Sequence, residues 1–177
     1  MTTPSQPTAL LILAGPAGVG KSTLCDRLVR EEPGFERVIT ATTRPPRPNE
    51  THGQDYHFLS EAEFDRRLAA GEFLEWAWVH RKHRYGTLKS AVLDRLPHTS
   101  LVMNIDVQGV RSIRAAALEL PALRGRVVTI FVAPDSMAVL RERLEGRGPV
   151  SPEELERRLQ SAERELAERA SYDYLIH

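Results

Sequence analysis

The stretch Leu10–Leu24, LLILAGPAGVGKSTL, constrains the fold more than any other part of the chain. The apolar run Leu10–Ala14 reads as a strand buried on both faces. Gly15-x4-Gly20-Lys21-Ser22 follows at once. A helix then runs from Lys21 to about Glu32, where Pro33-Gly34 ends it. A glycine turn between a buried strand and a helix lets several backbone N–H groups converge on an anion, and the helix terminus adds partial positive charge. The loop Gly15, Pro16, Ala17, Gly18, Val19, Gly20, Lys21, Ser22 and Thr23 is therefore read as a phosphate cradle. Lys21 would reach the terminal phosphates, and the Ser22 hydroxyl would hold Mg2+. The acid that such a site needs near its metal is Asp106, which ends the apolar strand in "LVMNID". Seen alone, Asp106 is also suited to capping the helix that follows. Asn104, two residues earlier on the strand, faces the same side.

The rest of the chain alternates strand and helix. Strands are expected at Val38–Ala41, Tyr56–Leu59, Phe73–Val79, Leu101–Ile105, Val127–Val132 and Tyr172–Ile176. Helices are expected from Ser60, with a capping box to Glu63, to about Ala70, and at Leu88–Leu96, Gln108–Leu118 and Ser136–Glu145. A last helix starts at Ser151-Pro152-Glu153-Glu154 and carries Leu155, Leu159, Ala162, Leu166 and Ala170 on one stripe. This alternation implies an α/β protein with a parallel sheet covered on both faces. The part from about Val38 to Gly86 is richer in strands and turns and reads as a lobe inserted into that core. His80 and His83 fall in the basic run "HRKHR" and read as solvated loop residues.

Composition excludes several function classes. With 24 basic and 24 acidic residues among 177, the chain has no net charge to favour a nucleic-acid or membrane surface. Cys25 is the only cysteine, so no intrachain disulfide can form and a reducing compartment is expected. No apolar run approaches the roughly 20 residues that span a bilayer. The expectation is a cytoplasmic protein without a nucleic-acid or membrane partner.

The segment "TTRPPRP" bears on what receives a phosphate. Its prolines hold the chain extended, which places Arg44 and Arg47 on one side, about 9 Å apart. Arginines on a stiff loop can grip a phosphate that is not transferred. Without further context a solvated basic turn is the better reading.

The segments "GPAGVGKST", "TTRPPRPNETHGQDY", "FLEWA", "YGT", "IDVQG" and "RLEGRG" occur in an order and spacing that resembles guanylate kinase, over about Leu10 to His177. The resemblance implies a P-loop three-layer fold with a parallel sheet, an inserted strand-rich GMP-binding lobe and a helical lid. In one domain, the core would be about 9–37 and 88–177, the lobe about 38–87 and the lid about 143–158. The implied activity is phosphoryl transfer from ATP, with Mg2+, to GMP or dGMP. Matched by position, Arg44, Arg47, Tyr56 and Tyr85 would hold the GMP phosphate, and Thr40 stands where the family often has a serine. Glu75 and Thr87, beside Gly86, would read the base, and Asp106 would contact GMP as well as the metal.

That reading has a chemical basis. Guanine offers N1–H and an N2 amine as adjacent donors, a carboxylate accepts both, and a hydroxyl at Thr87 can donate to O6. By itself Glu75 reads as an exposed strand glutamate. Arg143, Arg147 and Arg158 match arginines of the lid. Arg143 and Arg147 share a helix face, Arg158 borders the apolar stripe, and Arg157 points to solvent. The other arginines of "ERRLQSAERELAER" read as surface charges. The alternative function is a catalytically weak binding module, which the intact Lys21-Ser22 pair disfavours.

Three features depart from the family pattern. Asn104 replaces a usual second acid. The Glu75–Tyr85 segment is one residue longer. The sequence stops at "YDYLIH", before an Asn-Asp pair and a last helix, so part of the adenine surround is expected to be missing.

Overall fold

The computed structural model describes residues 7–79, 82–146, 148 and 150–177. Leu10–Ala14 forms β1, with β7 (Ser100–Asn104) on one side and β8 (Val127–Val132) on the other, both parallel to it. With β2 (Phe35–Arg37) and β9 (Tyr174–Ile176) at the edges, the parallel sheet has the order β2-β7-β1-β8-β9. The two-residue period of β1 divides the core between the two faces. Leu10, Ile12 and Ala14 pack with Val92 and Leu96 and with Val110 and Ile113 of α4 (Val107–Glu119). Leu13 joins the other face, with Cys25 of α1 (Lys21–Glu31), Leu140 and Leu144 of α5 (Met137–Glu145), and Leu155 and Leu159 of α6 (Pro152–Ala167). Helices on both faces make the three layers expected.

Local chemistry starts the helices where the sequence indicates. The Ser60 hydroxyl accepts from Glu63 N at 3.1 Å and opens α2 (Glu61–Ala69). The Ser151 hydroxyl accepts from Glu154 N at 3.2 Å and opens α6 with Pro152 in its first turn. Such caps supply partners for amides that the helix itself leaves unpaired.

The second sheet has the order β4-β3-β6-β5, built from β3 (Ala41–Thr42), β4 (His57–Phe58), β5 (Phe73–Val79) and β6 (His83–Leu88). Phe64 of α2 stacks on Phe73 at 4.3 Å between ring centroids, giving this sheet a small core of its own.

Two expectations need correction. The strand expected at Val38–Ala41 is split between the sheets: β2 ends at Arg37 in the parallel sheet, and β3 begins at Ala41 in the second. One apolar run serves as the crossing between two sheets, which local pattern cannot reveal. The run read as a loop before a helix at Leu88 is instead strand β6, followed by the short helix α3 (Lys89–Leu93). Its polar sequence hides the strand because Arg84 is buried, stacked over Phe64 and paired with Glu61 and Asp65. His83 is half-buried on that strand, and His80 lies outside the described residues.

Candidate active site

The loop after β1 is held by positions that only glycine satisfies. Gly15 has φ +129°, and a Cβ there would sit 2.2 Å from the Val132 carbonyl oxygen. Gly20 caps α1 in the left-handed region, at φ 104°. The Val19 side chain is buried in the core below, and its carbonyl accepts from Arg143 Nη1 at 3.3 Å. Lys21 Nζ curls back over the loop, donating to Gly15 O at 2.5 Å and Pro16 O at 2.9 Å.

This loop forms one wall of a cleft of about 510 Å³ that takes in Gly15, Ala17, Gly18, Gly20, Lys21 and Ser22. Pro16 and Val19 are buried and Thr23 is exposed, and none of the three is part of that lining. The opposite wall carries Thr40, Arg47, Tyr56, Glu75, Tyr85 and Gly86. Asn104 and Asp106 lie between the walls, as parallel pairing dictates: Leu13 is level with Asn104, so the residues after β7 emerge beside the phosphate loop. The capping expected of Asp106 is present. Its Oδ1 accepts from Gly109 N at 2.8 Å and caps α4, while the residue also lines the cleft. Asn104 Oδ1 accepts from Arg37 Nη2 at 3.4 Å.

The two arginines of the proline-rich loop converge on Glu50, a residue the sequence did not single out. Arg44 Nη2 donates to Glu50 Oε1 at 2.8 Å, Arg47 Nη1 lies 3.8 Å from the same oxygen, and Arg47 N donates to Oε2 at 2.8 Å. One carboxylate thus stands between both guanidinium groups, as an anion would. Arg44 is enclosed, its side chain 12% exposed, whereas that of Arg47 is 71% exposed. Tyr85 Oη accepts from Arg44 Nε at 3.1 Å, and the guanidinium lies over the Tyr56 ring at 5.5 Å.

Glu75 is buried on β5, not exposed as its isolated sequence context suggests. Burial pushes its carboxyl up from 4.5 to about 7; the Thr87 hydrogen bonds pull it back, and the Asp106 charge raises it further. The Thr87 hydroxyl donates to Glu75 Oε1 at 2.6 Å. A hydroxyl has one proton, so in this geometry Thr87 orients the carboxylate and is not free to donate to a base oxygen as well.

A family model described as guanylate kinase matches residues 7–177. The chain belongs to the guanylate kinase family. It is 42% identical to the guanylate kinase of Symbiobacterium thermophilum, over 98% of its own length and 79% of that relative's. It is 44% identical to the Thermobifida fusca guanylate kinase, over 97% and 84%. A crystal structure of guanylate kinase from Anaplasma phagocytophilum matches with a TM-score of 0.74 at 29% identity, covering 97% of this chain and 77% of that one.

Within this guanylate kinase fold, the residues expected of a lid separate. Arg158 lines the cleft, with its Nε donating to Glu154 Oε1 at 2.8 Å. Arg143 is exposed and reaches the back of the phosphate loop through Val19 O. Arg147 lies outside the described residues. Arg157 faces solvent as expected, its side chain 61% exposed.

Arg164, read as a surface charge, is exposed, and it also lines the cleft with Ser161, Glu165 and Glu168. The signal for Glu165 was present: it lies seven residues after Arg158, on the same face of a helix with 3.6 residues per turn. Burial raises the Glu165 carboxyl above the usual range, and the charge on Lys21 counteracts that. Among the described residues no helix is long and apolar enough to cross a membrane.

Proposed function

We propose that this chain transfers the γ-phosphoryl group of ATP to GMP, and to dGMP, giving ADP and GDP in purine nucleotide metabolism in the cytoplasm. The observation that carries this reading is one cleft lined by both a phosphate loop and a buried carboxylate set to accept two adjacent donors. Adenine has an acceptor at N1, which would face the lone pairs of Glu75.

The chemistry follows from position and charge. ATP phosphates rest on the amides of Gly15–Ser22, with Lys21 leaving the loop carbonyls to meet them. The GMP phosphate replaces Glu50 between Arg44 and Arg47, with the Tyr56 and Tyr85 hydroxyls beside it. Its oxygen then attacks in line, with no covalent enzyme intermediate. Arg158 and Arg143, with Arg147, offset charge on the group in transit. The Ser22 hydroxyl and the Asp106 carboxylate are hard oxygen donors on the same cleft, a set that fits Mg2+. Bound there, the ion would neutralise phosphate charge. The core is 9–37 and 88–177, the nucleotide lobe 38–87 and the lid 143–158.

The test is a coupled assay with ATP and a panel of nucleoside monophosphates. GMP and dGMP turn over, and AMP, CMP and UMP turn over poorly. Equal turnover of AMP and GMP would overturn the assignment.

A further inference from the structure

Gly109 lies in the first turn of α4, buried, where α4 meets β5. A Cβ built on it would sit 3.1 Å from Glu75 Oε2, 3.0 Å from Ile105 Cδ1 and 3.3 Å from Ile105 Cβ. Its N–H is the donor that holds Asp106 Oδ1 at 2.8 Å. Glu75 is therefore confined from two sides. The Thr87 hydroxyl takes Oε1 at 2.6 Å, and Oε2 lies 3.1 Å from where a side chain at Gly109 would begin. No turn geometry asks for glycine here, because Gly109 sits inside a regular helix, where glycine is unfavourable compared with alanine. The cost is accepted at a contact with one functional group.

We propose that Gly109 is a specificity-determining position. Its missing side chain lets α4 approach closely enough to fix the Glu75 carboxylate in the orientation that selects the base, while its amide fixes Asp106. A methyl at this position pushes Oε2 away and misaligns the pair of acceptors. The inference rests on the reading of Glu75 as the base-selecting group. It makes Gly109 a positioning residue that touches no substrate itself.

The experiment compares kcat/KM for GMP and AMP in the full chain and in Gly109→Ala, Glu75→Gln, Glu75→Asp and the Gly109→Ala/Glu75→Asp pair. Gly109→Ala is expected to lower GMP kcat/KM by roughly 10- to 100-fold, the effect of weakening a hydrogen bond to a charged group, and to change AMP kcat/KM much less. Thermal stability should hold or rise, because alanine favours the helix. The pair should recover GMP selectivity over Gly109→Ala alone, because the shorter acid makes room for the methyl. Additive losses in the pair would overturn the proposal, since damage to the helix alone gives no such rescue.

Should Gly109→Ala fold poorly, Ile105→Val in the same chain removes the Cδ1 atom that the methyl meets and leaves Glu75 Oε2 as the nearest atom, ahead of the Cβ at position 105. Selectivity unchanged in that pair would also overturn the proposal. Two failures are distinguishable. Unchanged selectivity in Glu75→Gln removes the base-selecting role on which the inference rests. Lost selectivity in Glu75→Gln with full selectivity in Gly109→Ala removes the role of Gly109 only.

Discussion

The Thr87 hydroxyl and the Glu75 carboxylate form a closed pair, 2.6 Å apart and both buried, on neighbouring strands that place Glu75 opposite Thr87. Replacing Thr87 by Val removes the hydroxyl donor to Oε1 and keeps the backbone one, a loss of about 1–3 kcal/mol at a buried acceptor. Since this bond lowers the Glu75 pKa, its removal should move that pKa above 7. Thr87→Ser keeps the donor and should preserve GMP selectivity. Equal selectivity in Thr87→Val and the parent chain would show that the pair does not set the acceptor geometry.

Base selection should depend on pH. The folded-state pKa of Glu75 is raised to about 7, and only the ionised form accepts two guanine donors. The ratio of AMP to GMP dissociation constants should therefore rise as pH increases from 6 to 8. The phosphate of both ligands also titrates near pH 6, and the ratio cancels it. A flat ratio across this window would contradict the assignment.

The same group should cost stability. An acid whose pKa is raised on folding stabilises the fold most below its unfolded value, and that contribution is lost as pH rises through the folded value. Here the window runs from 4.5 to about 7, and the full loss above it is about 3 kcal/mol. Glu75→Gln should thus raise the melting temperature at pH 8.5 and leave it nearly unchanged at pH 4.5. An equal effect at both pH values would argue against a buried charge.

The two arginines of the clamp should separate in a stability measurement. Loss of either charge-assisted phosphate contact should raise the KM for GMP, at a cost of about 1.5–3 kcal/mol. Arg44 is enclosed and paired with Glu50, whereas Arg47 is largely exposed. Arg44→Ala should therefore also lower the melting temperature, and Arg47→Ala should not. Unchanged GMP affinity in either variant would remove that arginine from the clamp.

Lys21→Met should abolish turnover while GMP binding stays nearly intact, because Lys21 belongs to the phosphate loop and Arg47, Tyr56 and Tyr85 line the cleft from other segments. Equilibrium titration of GMP against both proteins checks this. A large loss of GMP affinity would mean that the two subsites are not independent.

The phosphate loop, the parallel sheet and the caps of α2 and α6 were legible because their causes are local. Gly15 and Gly20 supply conformations that other residues resist, the Leu10–Ala14 run reads as a buried strand, and Ser60 and Ser151 supply partners for amides within a few residues. Strand β6 was not legible, since Arg84 is buried by charges from α2 that are about twenty residues away. Nor was Glu50, whose importance lies in two arginines meeting at one oxygen, or the burial of Glu75, which depends on β6 beside it and α4 against it. Sequence determines what each residue can donate, accept or fit. Only tertiary packing decides which groups lose their water and share their protons, and the Thr87–Glu75 pair and the bare face of Gly109 exist at that level.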